Sequence, residues 1–116
     1  MVVDDDASIL KSVARLLRRW GYACSPFQSA KAFANQHDFE NAVCVLLDID
    51  LGDGSGIELR HRLREANIRV PVIYMTGNED PAVREAALRS GCLAYLTKPF
   101  SAETLRNLLG RASAEL

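Results

Sequence analysis

The chain has 116 residues, 48% of them hydrophobic, and balances 14 Lys and Arg against 15 Asp and Glu for a formal charge of −1. That length suits one domain with its own core, and the ordinary apolar fraction argues against disorder. A charge near zero argues against a nucleic-acid surface, and no apolar run approaches the roughly 20 residues that cross a bilayer.

The acidic start, Met1-Val2-Val3-Asp4-Asp5-Asp6, lacks the basic and apolar pattern of a signal peptide. Cys24, Cys44 and Cys92 are odd in number, widely spaced and set among apolar neighbours. They fit buried thiols in a reducing compartment better than a disulfide frame or a zinc site. A soluble, cytoplasmic domain is the expectation.

Short apolar runs alternate with longer amphipathic stretches. Met1–Val3 is a β-like run ending in three acids, and Ile9, Val13, Leu16, Leu17 and Trp20 then recur at helical spacing. Asp6 or Ser8 suits the cap of this helix and Gly21 its end. Tyr22–Phe27 reads as a second strand, confined to an edge by Pro26. Ser29 opens a short helix with Ala30, Phe33, Ala34 and His37 on its inner face. Ala42–Leu47 is almost wholly apolar and stops at Asp48, the pattern of a strand covered on both faces. Residues 52–56, Gly-Asp-Gly-Ser-Gly, read as a loop, with Asp53 one more acid beyond the strand end. A helix with Ile57, Leu59 and Leu63 inward follows, and its Arg60-His61-Arg62-Leu63-Arg64 run reads as a solvated face.

Val70–Thr76 is a fourth strand, with Pro71 at its beginning. Pro81 suits the first turn of a helix carrying Val83, Ala86, Ala87 and Leu88, which Gly91 ends. Leu93–Thr97 is the fifth strand, Lys98-Pro99-Phe100 a turn, and Ser101 the cap of a last helix with Leu105, Leu108 and Leu109 inward. Five strands alternating with five helices make a (βα)5 doubly wound α/β domain, expected to occupy residues 1–116 with no output domain among them.

Chemistry collects at one edge of that fold. Ligands of an open parallel sheet bind beyond the carboxyl ends of the strands. Six of the eight aspartates fall there, Asp4, Asp5 and Asp6 after the first strand and Asp48, Asp50 and Asp53 after the third. Thr76 ends the fourth strand and Lys98 follows the fifth. Crowded carboxylates repel one another, and a hard divalent cation removes the conflict. Oxygen ligands with few protein donors favour Mg²⁺ shared with a phosphate, and an Asp carboxylate is a competent phosphoryl acceptor.

On these residues the sequence resembles the receiver domain of bacterial two-component response regulators. The likeness covers essentially the whole chain: the acidic pair Asp4-Asp5, the lone Asp48, Thr76 and Lys98-Pro99 come in order, each at a strand end, and Gly56, eight residues beyond Asp48, and Tyr95, three before Lys98, also match. It implies a flavodoxin-like parallel sheet of order 2-1-3-4-5. It implies that Asp48 accepts a phosphoryl group from a histidine kinase or phosphotransfer protein. Asp5, Asp48 and the backbone carbonyl of Asp50 would hold Mg²⁺, or Mn²⁺ in its place, with Asp4 acting through metal-bound water. Lys98, ahead of a cis bond to Pro99, would meet the phosphoryl group, as would Thr76. Tyr95 would follow Thr76 inward, while Asp50 and Asn78 would tune the phosphate's lifetime. The surface of the fourth helix, fifth strand and fifth helix would carry the signal to an output or a second copy, with no nucleic acid or membrane bound by this domain.

Two features depart from the family pattern. Leu51-Gly52 stands where Met-Pro is usual, and the first strand is short. A receiver-like adaptor that signals without phosphate is therefore the alternative, against which stands the presence of all five site residues. A mononucleotide enzyme of related architecture would need a phosphate-cradling loop after the first strand, where acids stand instead and would repel phosphate unless a metal intervened. Residues 52–56 are no such loop, since they follow the third strand and continue into no Gly-Lys-Ser/Thr.

Overall fold

Strand segments with no polar alternation need cover on both faces, and the fold supplies it. The computed structural model describes residues 1–35 and 38–114. In chain order the elements are β1 (Val2–Val3), α1 (Ala7–Arg19), β2 (Pro26–Phe27), α2 (Ala30–Ala34), β3 (Val45–Asp48), β4 (Asp50–Leu51), β5 (Gly54–Ser55), α3 (Gly56–Glu65), β6 (Val72–Thr76), α4 (Pro81–Arg89), β7 (Ala94–Thr97) and α5 (Ala102–Ala114). The main sheet is parallel with order β2-β1-β3-β6-β7, and β4-β5 is a separate antiparallel pair. Counted without that small pair, the order is the expected 2-1-3-4-5. Among the described residues, no helix is long and apolar enough to cross a membrane.

Successive strand residues point to opposite faces, so each strand feeds two cores. Val2, Leu46, Ile73, Met75 and Leu96 pack with Leu10, Val13 and Leu17 of α1 and with Leu105, Leu109 and Ala112 of α5. Val3, Val45, Leu47, Val72 and Tyr74 pack on the other face with Phe33 of α2, Leu59 and Leu63 of α3 and Ala87 of α4. The strands are shorter than their apolar runs. Residues 22–25, 42–44, 70, 71 and 93 lie outside them, because apolar composition marks burial and the ladder stops where pairing stops. Ala34 and Ala86, expected inward, are exposed, as is Leu88. Each helix turns a narrower stripe to its sheet than its apolar content suggests. His37 lies outside the described residues.

Helix ends follow local chemistry. Asp6 caps α1, its carboxylate accepting from Ser8 N and Ile9 N, and Gly21 takes a positive φ just past the helix. Ser101 Oγ accepts from Thr104 N at the start of α5. Tyr74, fully buried in an apolar strand, meets the need of its hydroxyl through Ser90 Oγ at 2.6 Å. Cys44 is buried, which pushes its thiol up to about 11, and Cys24 and Cys92 are half-buried with thiols also raised by burial. Burial of this kind favours the protonated thiol, and all three cysteines are free.

The segment expected as a loop folds into a short antiparallel pair with the residues that precede it. Asp50 pairs with Ser55 and Leu51 with Gly54, leaving Gly52-Asp53 as the connection. The Asp53 carboxylate does not crowd the acidic strand ends: it accepts from Ala30 N at 2.8 Å and Lys31 N at 3.0 Å, capping α2. Those bonds hold its carboxyl below the usual range. Ser55 then caps α3 through Ile57 N, and Gly56 enters the helix against the strand behind it.

A side chain at Gly56 would place its Cβ 2.2 Å from the Asp48 carbonyl oxygen and 3.0 Å from its carbon, both backbone atoms. Gly56→Ala should therefore lower stability by about 2 kcal/mol or more, as expected for steric overpacking against backbone. Urea denaturation with an unchanged m-value would show it; a loss within about 0.5 kcal/mol would mean that α3 shifts freely away from β3.

Candidate functional site

The carboxyl ends of β1, β3, β6 and β7 lie side by side, and the sheet register brings their terminal residues to one edge. Val3 pairs with Leu47, Asp48 with Met75, and Thr76 with Thr97. The residues that follow each strand end meet above that edge.

Asp4, Asp5 and Asp48 each offer a carboxylate oxygen to a cluster whose atoms lie within 4.8 Å of one another. Asp4 and Asp48 are buried and Asp5 is exposed. The Lys98 ammonium donates to Asp4 Oδ2 at 2.6 Å and lies 3.5 Å from Asp48 Oδ2. Burial alone would lower the lysine's affinity for its proton. The bond to Asp4 and the charges of Asp48 and Asp4 outweigh it and raise the value. The Lys98–Pro99 peptide is cis, and Pro99 itself is exposed.

Backbone donors complete the buried acids. Asp4 Oδ1 accepts from Asp6 N at 2.9 Å, and Asp48 Oδ1 from Asp50 N at 3.3 Å. They do not compensate Asp48 fully. Burial, followed by the negative charge of Asp4, pushes its carboxyl up to about 6, against the pull of Lys98. One ammonium among three carboxylates leaves excess negative charge in a partly desolvated place. The donor set is all oxygen, with an exposed member on one side, and this fits a hard divalent cation such as Mg²⁺.

A second connected group borders the first. Asn78 N donates to Thr76 Oγ1 at 2.9 Å, and Asn78 Nδ2 donates to Asp50 Oδ2 at 3.1 Å. Tyr95 OH donates to the Asn78 carbonyl at 3.3 Å, and the Arg84 guanidinium lies over the Tyr95 ring, 5.6 Å from its centroid. Lys98 N also donates to the Thr76 carbonyl. The nine residues singled out in the sequence thus fall into two sets. Asp4, Asp5, Asp48 and Lys98 share the acidic cluster, with Pro99 next in the chain. Asp50, Thr76, Asn78 and Tyr95 form a hydrogen-bonded string beside it, joined to the cluster by the Asp50 amide.

Sequence reading passed over Arg84 and Asp80. Asp80 caps α4 through Ala82 N just before Pro81, a placement readable from the Asp-Pro pair. Nothing local marks Arg84, since its partner lies on another element.

Residues 1–110 match the family model of the response regulator receiver domain, and the chain belongs to that family. It is 35% identical over 116 residues to the transcriptional regulatory protein FixJ of Rhizobium meliloti, with 99% of this chain and 56% of that protein covered. It is 30% identical over 115 residues to the response regulator protein TodT of Pseudomonas putida, with 99% and 49% covered. The chain spans about half the length of such curated relatives. A CheY-like receiver domain protein from Methanospirillum hungatei superposes with a TM-score of 0.86 at 27% identity, covering 99% of this chain and 95% of that one. The BeF3-activated DrrB receiver domain gives 0.82 at 34% identity, covering 96% and 92%. The domain is a two-component signalling module, and its acidic cluster is compatible with Mg²⁺.

The raised Asp48 carboxyl makes a testable statement about stability. Its proton is held more tightly in the folded chain than in the unfolded one, where the ordinary value is 3.8. Stability of the metal-free protein should therefore fall as pH rises from about 4 to about 6. Asp48→Asn should remove most of that fall and stabilise the metal-free protein by about 1–2 kcal/mol at pH 7.5. Denaturation curves across this range check it. A variant less stable than the parent at pH 7.5 would show that the pairing with Lys98 outweighs burial.

Proposed function

We propose that this domain accepts a phosphoryl group on Asp48 from the phosphohistidine of a sensor kinase or phosphotransfer protein, and relays the event through its α4–β7–α5 surface. The observation that carries this reading is the meeting of Asp4, Asp5 and Asp48 around one point with Lys98 at its rim. Asp5, Asp48 and the Asp50 carbonyl would hold Mg²⁺, or Mn²⁺ in its place, with Asp4 acting through metal-bound water. When bound, the ion supplies positive charge against the phosphoryl oxygens and the acids.

The chain's own groups do the rest. A free Asp48 oxygen attacks phosphorus as the bond to the histidine nitrogen breaks, and an aspartyl phosphate results. Lys98, already drawn between Asp4 and Asp48, turns its ammonium toward a phosphoryl oxygen. Transfer is then positioning and charge neutralisation, so the domain promotes only its own phosphorylation and hydrolysis.

The Thr76 hydroxyl is the nearest link from this event to the surface. In the structure it accepts from Asn78 N; turned toward a phosphoryl oxygen, it would release that amide. Asn78 also carries the Tyr95 hydroxyl bond, so the same movement frees the ring that Arg84 covers. A few kcal/mol of differential contact is enough to shift such a two-state balance. Asp50 and Asn78, bonded to each other beside the acceptor, would govern water access and so the phosphate's lifetime. A single signalling domain over residues 1–116 acting in the cytoplasm, with an output domain, a partner or a second copy as receiver, completes the proposal.

Incubation with acetyl phosphate and Mg²⁺ should label the parent protein at Asp48, as read by intact mass and peptide mapping. Asp48→Asn or chelation of the metal should abolish the label, and Mg²⁺ with beryllofluoride should change the amide shifts of Thr76, Asn78 and Tyr95 saturably. Stoichiometric label on Asp48→Asn would place the acceptor elsewhere. Neither label nor a response to beryllofluoride would favour the phosphate-independent adaptor.

A further inference from the structure

The opposite end of the sheet carries a second concentration of charge, of the other sign. A cleft of about 760 Å³ opens at the amino ends of β6 and β7, some 13 Å of strand away from Thr76. Four arginines line it: Arg60 and Arg64 from α3, Arg69 from the connection to β6, and Arg111 from α5. Arg64, Arg69 and Arg111 are exposed and Arg60 is half-buried.

These cations are brought together without acids. Arg60 Nε donates to the Gly91 carbonyl at 2.8 Å. Arg60 Nη2 and Arg64 Nη2 lie 3.7 and 2.4 Å from the position a Cβ on Gly91 would take. Gly91, at φ +83°, therefore lets two guanidinium groups converge on one point. Among the described residues, none of the four arginines forms an ion pair with a carboxylate. By contrast Arg62 and Arg89, on the outer faces of α3 and α4, pair with Glu58 and Glu85. Among the described residues, no acid lines the cleft. Positive charges gathered in a concave place leave a repulsion that an anion relieves, just as a cation relieves that of the aspartates at the other end of the sheet.

The floor narrows the choice of anion. Ile68, Val70 and Leu93 supply apolar surface beneath the guanidinium rim, and the volume suits a small molecule. Guanidinium forks match the paired oxygens of phosphates, and a concave site suits a compact ligand better than a nucleic-acid duplex. We infer that this four-arginine cleft binds a compact polyphosphate anion, either an inorganic polyphosphate or the phosphate chain of a nucleotide whose ring seats on the apolar floor. It is a site separate from the phosphoacceptor and does not depend on that reading.

The test titrates the protein with tripolyphosphate and with ATP at low ionic strength, in the presence of a metal chelator. Binding is read by amide shifts and calorimetry. Saturable shifts are expected at Arg69, Cys92 and Leu93, with affinity falling as salt screens the site. Arg64→Gln combined with Arg69→Gln should weaken binding at least about tenfold. Arg15→Gln with Arg18→Gln, exposed arginines of α1, should leave it unchanged. ATP binding tighter than tripolyphosphate assigns the site to a nucleotide, and equal affinity assigns it to the phosphate chain alone. The proposal fails if neither probe saturates, if the Arg64 and Arg69 variant binds as well with its remaining spectrum unaltered, or if an oligoglutamate peptide binds as tightly as either probe.

Discussion

Three carboxylates gathered around one ammonium set the terms for everything at the carboxyl edge of this sheet. Asp4 and Asp48 are buried there, and Lys98 reaches both from across the neighbouring strands. The lysine bonds Asp4 at short range and stands farther from Asp48, so Asp48 keeps a carboxyl that burial and its acidic neighbour have raised. An uncharged or single-acid edge would fold more easily. The excess negative charge is tolerated because strands, hydrogen bonds and two well-packed faces hold the groups in place. A site strained in this way gains most from whatever positive charge it next receives.

The same sheet imposes a polarity on the whole molecule. Acids meet at the carboxyl ends of the strands and arginines line a cleft at the amino ends, while the formal charge of the chain stays at −1. A near-neutral total therefore says little about the local fields of this domain. Two faces of opposite sign, separated by apolar layers, let oppositely charged partners be met without competing for one surface.

Much of this was legible in the sequence, for identifiable reasons. Strands buried on both sides announce themselves as unbroken apolar runs, so Val45–Leu47 and Val72–Met75 were plain, and the helices followed from spacing and caps. The acidic edge was legible because parallel sheets bind at their carboxyl ends, which turned Asp4, Asp48, Thr76 and Lys98 from scattered letters into neighbours. Strand ends were not legible, since Tyr22 and Ala42 are as apolar as a strand needs and differ only in lacking a partner. The hairpin around Gly52-Asp53 was not legible as a hairpin, since a two-residue connection between two-residue strands leaves no periodicity to find. Contacts between distant elements, such as Arg84 over Tyr95 or Tyr74 with Ser90, have no local signature at all.

The position of Asp53 has a consequence for how the molecule opens. The five residues of α2 are too few to persist on helical propensity alone, and two of the first amides of that helix close onto a carboxylate from the turn between β4 and β5. The turn in turn has only two short partners of its own. Each piece supports the other, so the two should exchange their amide hydrogens as one cooperative foldon, at a lower free energy than global unfolding. The loop that follows β3 is thereby tied to the β2 edge of the sheet. Breathing on that side would be felt at Asp50 and Leu51 before it reached β6 or β7.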